Sequence, residues 1–131
     1  MISAIKCGAE LDAGPVYLRR PLALHGSAEE IFLRADGIIE EMIVEILDRN
    51  PAPVEQQGTA TVFQRRRPED GALNGTMTLD QVHDYIRMLD ADGYPPAFLD
   101  VGHLRFEFTR VGRRPGRLEA NVTIRRRPET S

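Results

Sequence analysis

The chain has 131 residues, enough for one domain or two small lobes, and 41% of them are hydrophobic while 28% are charged. Its net charge of −3 disfavours a generic nucleic-acid-binding protein, since such proteins are usually basic overall. No apolar run approaches the roughly 18 residues that span a bilayer. A single cysteine excludes an internal disulfide, and the start Met1-Ile2-Ser3 lacks a basic leader, so we predict a cytoplasmic protein without a signal peptide.

The first predicted element is a β-hairpin. Residues Ile2 to Ile5 are typical of a strand, and Val16 to Leu24 form a second extended run with loose alternation. Between them, Glu10 to Pro15 form a turn, because Gly14-Pro15 is a strong breaker pair and proline cannot donate to a β-ladder. The two runs therefore predict a hairpin whose tip carries Asp12.

A long amphipathic helix is predicted next, over Ser27–Arg49. Ser27 and Glu30 form a capping box at its start, since the serine hydroxyl can accept from the Glu30 amide. The helix ends before Pro51, because the residue preceding a proline avoids the helical region. Its apolar positions recur with helical period and are Ile31, Ala35, Ile38, Ile39, Met42, Ile43, Ile46 and Leu47.

An extended linker and a second helix follow. The linker is predicted over residues 53–77, and the helix over Thr78–Asp90, where Thr78 and Gln81 form a second capping box. Gly93 is placed to be the C-cap of this helix. The proline-rich stretch Gly93–Phe98 is then predicted to be a rigid connector.

The C-terminal part has the pattern of an antiparallel β-hairpin. Apolar residues alternate with polar ones in two runs, with a turn predicted over Gly112–Gly116. The apolar positions are Leu104, Phe106 and Phe108 in the first run and Leu118, Ala120, Val122 and Ile124 in the second. Separate α and β patterns without regular βαβ alternation predict the α+β class.

Four motifs in chain order resemble one protein family. They are Glu10–Tyr17, similar to an LDTGD/LDAG loop; Gly26–Ile31, which opens the long helix; Val62–Asp70, similar to an F-x-R-R-x-P-x-D segment; and Tyr85–Leu89 with Gly93–Phe98, similar to an hxxxhRA…PWPGAF stretch. Over nearly its whole length the chain thus resembles the C-terminal half of the folate-dependent formyltransferases. The resemblance implies a catalytic-domain remnant at residues 1–52, the linker at 53–77, and a small C-terminal subdomain at 78–131.

The resemblance also implies a site. In the family, an aspartate of the LDAG loop works with an Asn-x-His motif upstream, which here makes Asp12 the catalytic residue that orients and polarises the histidine. Leu11, Asp12 and Gly14 are implied to contact the cosubstrate 10-formyltetrahydrofolate, whose formyl group passes to an amine. Only eleven residues precede Asp12 and none supplies Asn-x-His. We therefore expect the chain to begin in the middle of a formyltransferase, to bind folate weakly, and to be inactive alone.

The arginine run Arg65, Arg66 and Arg67 allows two interpretations. As substrate-binding residues, they hold the diphosphate of a nucleotide sugar, because guanidinium groups bind phosphate oxygens bidentately. Alternatively, Arg66 or Arg67 pairs with Glu69 or Asp70 and fixes the linker.

Other polar residues give weaker signals. Asp12 has a purely structural alternative, a turn aspartate making an Asx-type hydrogen bond. His25, His83 and His103 are predicted to be surface or boundary residues, and Cys7 a small buried hydrophobe. None of these histidines lies at metal-ligand spacing to another histidine or cysteine, so no metal is predicted.

Three functions remain open from the sequence. The first is a partial formyltransferase that depends on a complementary N-terminal half. Its acceptor is a small-molecule amine, and an amino sugar, either free or linked to a nucleotide, is favoured over tRNA. The second is a non-catalytic binding or interaction module, and the third is a truncated gene product. Because the family's sheet is missing from this sequence, we also expect self-association or dependence on a partner chain.

Overall fold

The computed structural model describes residues 1–59 and 61–127, and it confirms the α+β class. The elements are β1 (Ile2–Ile5), β2 (Val16–Arg20), α1 (Ala28–Arg49), a 3-10 turn (Pro68–Gly71), α2 (Leu79–Arg87), β3 (Ala97–Val101), β4 (Leu104–Arg114) and β5 (Arg117–Arg126). The chain divides into two compact units, one of residues 1–25 with 30–63, and one of residues 26–29 with 64 onward. Residues of the predicted linker, 53–77, belong partly to each unit. Residues 128–131 of the predicted C-terminal subdomain lie outside the described residues.

In the first unit, β1 and β2 form the predicted antiparallel hairpin, with Ile2 opposite Arg20. Its loop is closed by the Lys6 N–H, which donates to the Pro15 carbonyl at 2.8 Å. On the other edge of β2, Val16 and Val54 exchange both backbone hydrogen bonds, at 2.8 and 2.9 Å. The segment after α1 therefore returns alongside the hairpin.

Helix α1 ends where the sequence predicts, before the Asn50-Pro51 pair, and Asn50 adopts a left-handed φ of +43°. Met42 is only 3% exposed, and a carboxylate–guanidinium pair joins Glu45 to Arg20 of β2. The sequence analysis predicts that eight apolar residues of this helix share one face, but the structure separates them. Ile31, Ala35, Ile38 and Ile46 are half-buried, whereas a second stripe is exposed. We call this second stripe the α1 outer stripe; it consists of Phe32, Ile39, Ile43 and Leu47.

In the second unit, α2 begins with the predicted capping box. The Gln81 amide donates to Thr78 Oγ1 at 3.2 Å, and the Thr78 amide donates to Gln81 Oε1 at 2.8 Å. The helix ends at Arg87 with Met88 as its C-cap, so the predicted end at Asp90 and the C-cap role of Gly93 are wrong. Gly93 has the left-handed φ of +77° that its residue type favours, but it lies in a separate turn beyond the helix.

The C-terminal sheet has three strands in the order β3-β4-β5, one more than the predicted hairpin. The additional strand, Ala97–Val101, pairs antiparallel with β4 and begins inside the stretch predicted to be a connector. Ala97 and Phe98 are buried and, with Ile86 of α2, form the core of this unit. The β4–β5 turn is shorter than predicted, with Gly116 at a φ of +71°. No helix in the described part of the chain has the length and apolar character needed to cross a membrane.

Candidate functional site

Asp12 lies at the tip of the hairpin loop in the left-handed region, with a φ of +56°. Aspartate is found in this left-handed conformation several times more often than most non-glycine residues. Its side chain is exposed, and the carboxylate accepts no hydrogen bond and forms no ion pair within residues 1–59 and 61–127. The Asx-type bond of the structural alternative is therefore absent from the described residues, and the carboxylate is available to a ligand or partner.

Gly14 is required by the backbone packing of the same loop. A Cβ added at this position would lie 1.8 Å from the Lys6 carbonyl oxygen and 2.9 Å from the Lys6 carbonyl carbon. Only glycine allows the two sides of the loop to approach so closely. The sequence analysis assigns Gly14 to folate contact. The close approach to Lys6 within the hairpin is already sufficient to require a glycine at this position.

Gln56 is a residue of this site that the sequence did not predict. Its side-chain Nε2 donates to the Asp12 carbonyl and to the Gly14 carbonyl, each at 2.8 Å. No local pattern reveals the Gln56 contact, because the partners are separated by more than forty positions.

Leu11, beside Asp12, is 93% exposed and presents an apolar side chain at the same tip.

The arginine run lies in the second unit and borders a cavity of about 600 Å³. Arg66 is held in place: its guanidinium donates to the Asp70 carbonyl at 3.1 Å and lies 3.4 Å from Met88 Sδ and 5.3 Å from the centre of the Tyr85 ring. The cavity is lined by Arg65, Arg66, Arg67, Pro68, Gly71, Met88, Leu89, Gly93, Tyr94 and Pro95. The site thus combines guanidinium groups with an apolar floor.

The alternative prediction, an ion pair of Arg66 or Arg67 with Glu69 or Asp70, is replaced in the structure by hydrogen bonds to Asp70. The Arg67 backbone N–H, not its guanidinium, donates to Asp70 Oδ2 at 2.7 Å. Within the described residues, no guanidinium of Arg65, Arg66 or Arg67 forms an ion pair with a carboxylate. Asp70 therefore fixes the backbone of this segment through hydrogen bonds and not through an ion pair with the arginine run.

The remaining candidates have simpler environments. His25 and His103 are exposed, and His83 is half-buried with its Nδ1 3.6 Å from Asp84 Oδ1. Cys7 is exposed, so the prediction of a buried cysteine is wrong; it lies in the loop of the hairpin rather than under a strand. In the part of the chain that the structure describes, no three His, Cys, Asp or Glu side chains are grouped to hold a metal ion.

Comparisons with known proteins agree with the motifs. Residues 68–125 match the sequence model of the family described as methionyl-tRNA formyltransferase, C-terminal domain. The structure is similar to that of methionyl-tRNA formyltransferase from Clostridium thermocellum, with a TM-score of 0.92 and 46% sequence identity over 95% of this chain. The chain spans 55% of the length of that protein. With the motifs, the fold and both comparisons in agreement, the chain carries a formyltransferase-family C-terminal domain.

Proposed function

We propose that this chain is the C-terminal part of a formyltransferase, in which Asp12 is a catalytic residue for formyl transfer from 10-formyltetrahydrofolate to an amine. The observation that carries the proposal is the Asp12 carboxylate, which is exposed and accepts no hydrogen bond in the described residues. It lies at the tip of a loop in which Gly14 packs closely against Lys6 and the Gln56 side chain binds two carbonyl groups. The 46% identity to a methionyl-tRNA formyltransferase supports the assignment of the loop.

The chemistry requires a carboxylate in this setting. The amine nitrogen attacks the formyl carbon, the bond from that carbon to the folate nitrogen breaks, and the amine proton passes to the folate nitrogen. A positioned carboxylate assists by orienting a histidine and stabilising its protonated form, as the aspartate of a Ser-His-Asp triad does. The exposed Leu11 side chain fits an apolar contact with the folate ring, and Asp12 fits the orienting role.

The histidine and most of the folate pocket would come from a complementary N-terminal part. Two features support such a partner. Among the described residues β1 pairs with β2 alone, and a two-stranded sheet is marginally stable in water. The α1 outer stripe exposes Ile43 at 51% and Leu47 at 77%, which is typical of a surface covered by another element.

The acceptor is an amine attached to an anionic group. The guanidinium groups around the 600 Å³ cavity form no ion pair with a carboxylate of the described residues, and they suit phosphate oxygens, which are present in both nucleotide sugars and tRNA. The sequence favours an amino sugar, whereas both comparisons carry the name methionyl-tRNA formyltransferase. We propose that the reaction takes place in the cytoplasm, in keeping with the single cysteine.

The test is complementation. The chain is mixed with an N-terminal formyltransferase part that carries Asn-x-His, together with 10-formyltetrahydrofolate and, in separate reactions, a nucleotide-linked amino sugar and methionyl-tRNA. We expect formylation of one acceptor, and a loss of about 10²–10⁴-fold for Asp12→Asn, the usual scale for a positioned acid/base group. Asp92→Asn, which removes a charge from an exposed turn, is the matched control and leaves the rate unchanged.

A second function, a non-catalytic interaction module, is favoured by the same exposed α1 outer stripe. The complementation separates the two functions. Formation of a stable complex without any formyl transfer supports the interaction module, and an Asp12→Asn rate equal to wild type removes Asp12 from the catalytic assignment.

A further inference from the structure

We infer that Gln56 is a positioning residue that holds the Asp12 loop in its working conformation. The inference rests on the proposed function, since it assigns to Gln56 an effect on catalysis through Asp12. It adds a residue from the extended segment after α1 to a site otherwise built from the hairpin.

The geometry of the contact is specific. Gln56 Nε2 lies 2.8 Å from the Asp12 carbonyl oxygen and 2.8 Å from the Gly14 carbonyl oxygen. A primary amide has two N–H donors, so this pair of acceptors uses both of them. The two carbonyls flank Ala13, and fixing both prevents the peptide planes on either side of the tip from rotating independently.

No other side chain in the described residues supports this tip by a hydrogen bond. The loop is closed at its base by the Lys6–Pro15 backbone bond, which leaves the residues between them without a strand partner. The double backbone bond between Val16 and Val54 brings the extended segment alongside and places Gln56 opposite the tip. Gln56 is therefore the link between the backbone pairing and the catalytic carboxylate.

The variant that tests this role is Gln56→Glu. Glutamate keeps the length of the side chain but has no N–H donor when ionised, and its oxygens would face two carbonyl oxygens. We expect kcat in the complemented mixture to fall by about 10- to 10²-fold, because small displacements of a catalytic group have costs on this scale, with the KM of the amine little changed. Gln57→Glu introduces the same charge at the next residue, which makes no hydrogen bond in the described residues, and should keep wild-type kinetics.

The decisive readout is non-additivity. If Gln56 acts through Asp12, the double variant Asp12→Asn, Gln56→Glu has the same rate as Asp12→Asn alone, because residues that act as a unit are strongly non-additive. If the loss in the double variant equals the product of the two single losses, Gln56 acts independently of Asp12, and the inference is overturned.

A measurement on the chain by itself separates this inference from the proposed function. NMR of the uncomplexed chain should show slower hydrogen exchange for the Gln56 side-chain amide than for that of Gln57, and Gln56→Glu should shift the Asp12 and Gly14 carbonyl resonances. Equal exchange of the two amides overturns the positioning role even where complementation succeeds. Slow Gln56 exchange in a chain whose complemented mixture is inactive contradicts the proposed function and the catalytic part of the inference together.

Discussion

Gly14 occupies a position where no side chain can be built without moving the Lys6 backbone, since a Cβ would lie 1.8 Å from the Lys6 carbonyl oxygen. We expect Gly14→Ala to lower the free energy of unfolding by about 1–3 kcal/mol or more, because the opposing atoms are backbone and must shift. The matched control is Gly8→Ala in the same loop, whose Cβ would meet nothing within 4 Å and which should stay within about 0.5 kcal/mol of wild type. Denaturant unfolding measures both, and equal values for the two variants would contradict the close approach.

Asp100 illustrates how single residues set the acid stability of the second unit. Its carboxylate accepts two hydrogen bonds from Arg105, from Nε at 2.8 Å and Nη2 at 2.9 Å. The Arg105 guanidinium also lies 3.7 Å from the centre of the Phe98 ring. The hydrogen bonds of Arg105 lower the pKa of Asp100 most, and the charges of Arg105 and Arg127 lower this pKa further.

The lowered pKa of Asp100 predicts a direction of pH dependence. A carboxyl whose pKa is lower folded than unfolded contributes stability above its unfolded pKa of about 3.9, and the contribution is lost as the pH falls through the folded pKa. Asp100→Asn should therefore cost about 1–2 kcal/mol at pH 7, and its deficit should shrink below about pH 4. Urea unfolding across this range measures the effect, with Asp92→Asn as control; a deficit independent of pH would contradict the ionic origin.

At the scale of elements, α1 carries two apolar stripes with different environments. Met42 is buried, while the α1 outer stripe is exposed although its residues are equally hydrophobic. The helix therefore has a buried side and an exposed apolar surface suited to association.

The two stripes predict opposite outcomes on substitution. Replacing Ile43 and Leu47 by Gln should reduce self-association and the binding of hydrophobic dye, with the free energy of unfolding unchanged within about 0.5 kcal/mol. Met42→Ala should cost about 2–5 kcal/mol, the range for truncating a buried side chain. Sedimentation, dye fluorescence and urea unfolding test the pair. A tightly folded wild-type monomer at micromolar concentration that binds no dye would show that the outer stripe does not drive association.

At the scale of the whole molecule, the chain spans 55% of a related formyltransferase and holds one polar group of the proposed site, Asp12. In the proposed mechanism Asp12 orients a histidine of the complementary N-terminal part, and residues that act as a unit contribute little singly. The isolated chain should therefore show no 10-formyltetrahydrofolate-dependent formylation above background. The isolated Asp12→Asn variant should show the same background rate. Release of tetrahydrofolate, followed spectrophotometrically with and without the complementary part, measures this. Robust turnover by the isolated chain would refute the dependence on a partner.

The sequence by itself determined those features that depend on neighbouring residues. The Asn50-Pro51 pair ends α1 because proline acts on the residue before it, and the Thr78–Gln81 box starts α2 because its bonds span only three positions. The alternation along β4 and β5 and the breaker pair Gly14-Pro15 predict strands and a turn for the same local reason. The two extended runs on either side of this turn predict Asp12 at a loop tip, where the structure places it.

Only the tertiary structure decided the features that depend on distant residues. Ala97–Val101 becomes a strand because β4 offers it an edge, although proline residues before it are typical of a connector. Met42 is buried and Ile43 exposed because one side of α1 meets the unit and the other does not, a distinction that hydrophobicity alone does not encode. Gln56 reaches the Asp12 loop because the Val16–Val54 pairing brings the two segments together. Local patterns specify which elements form, whereas the pairing of distant backbone and side-chain groups specifies what each element contacts.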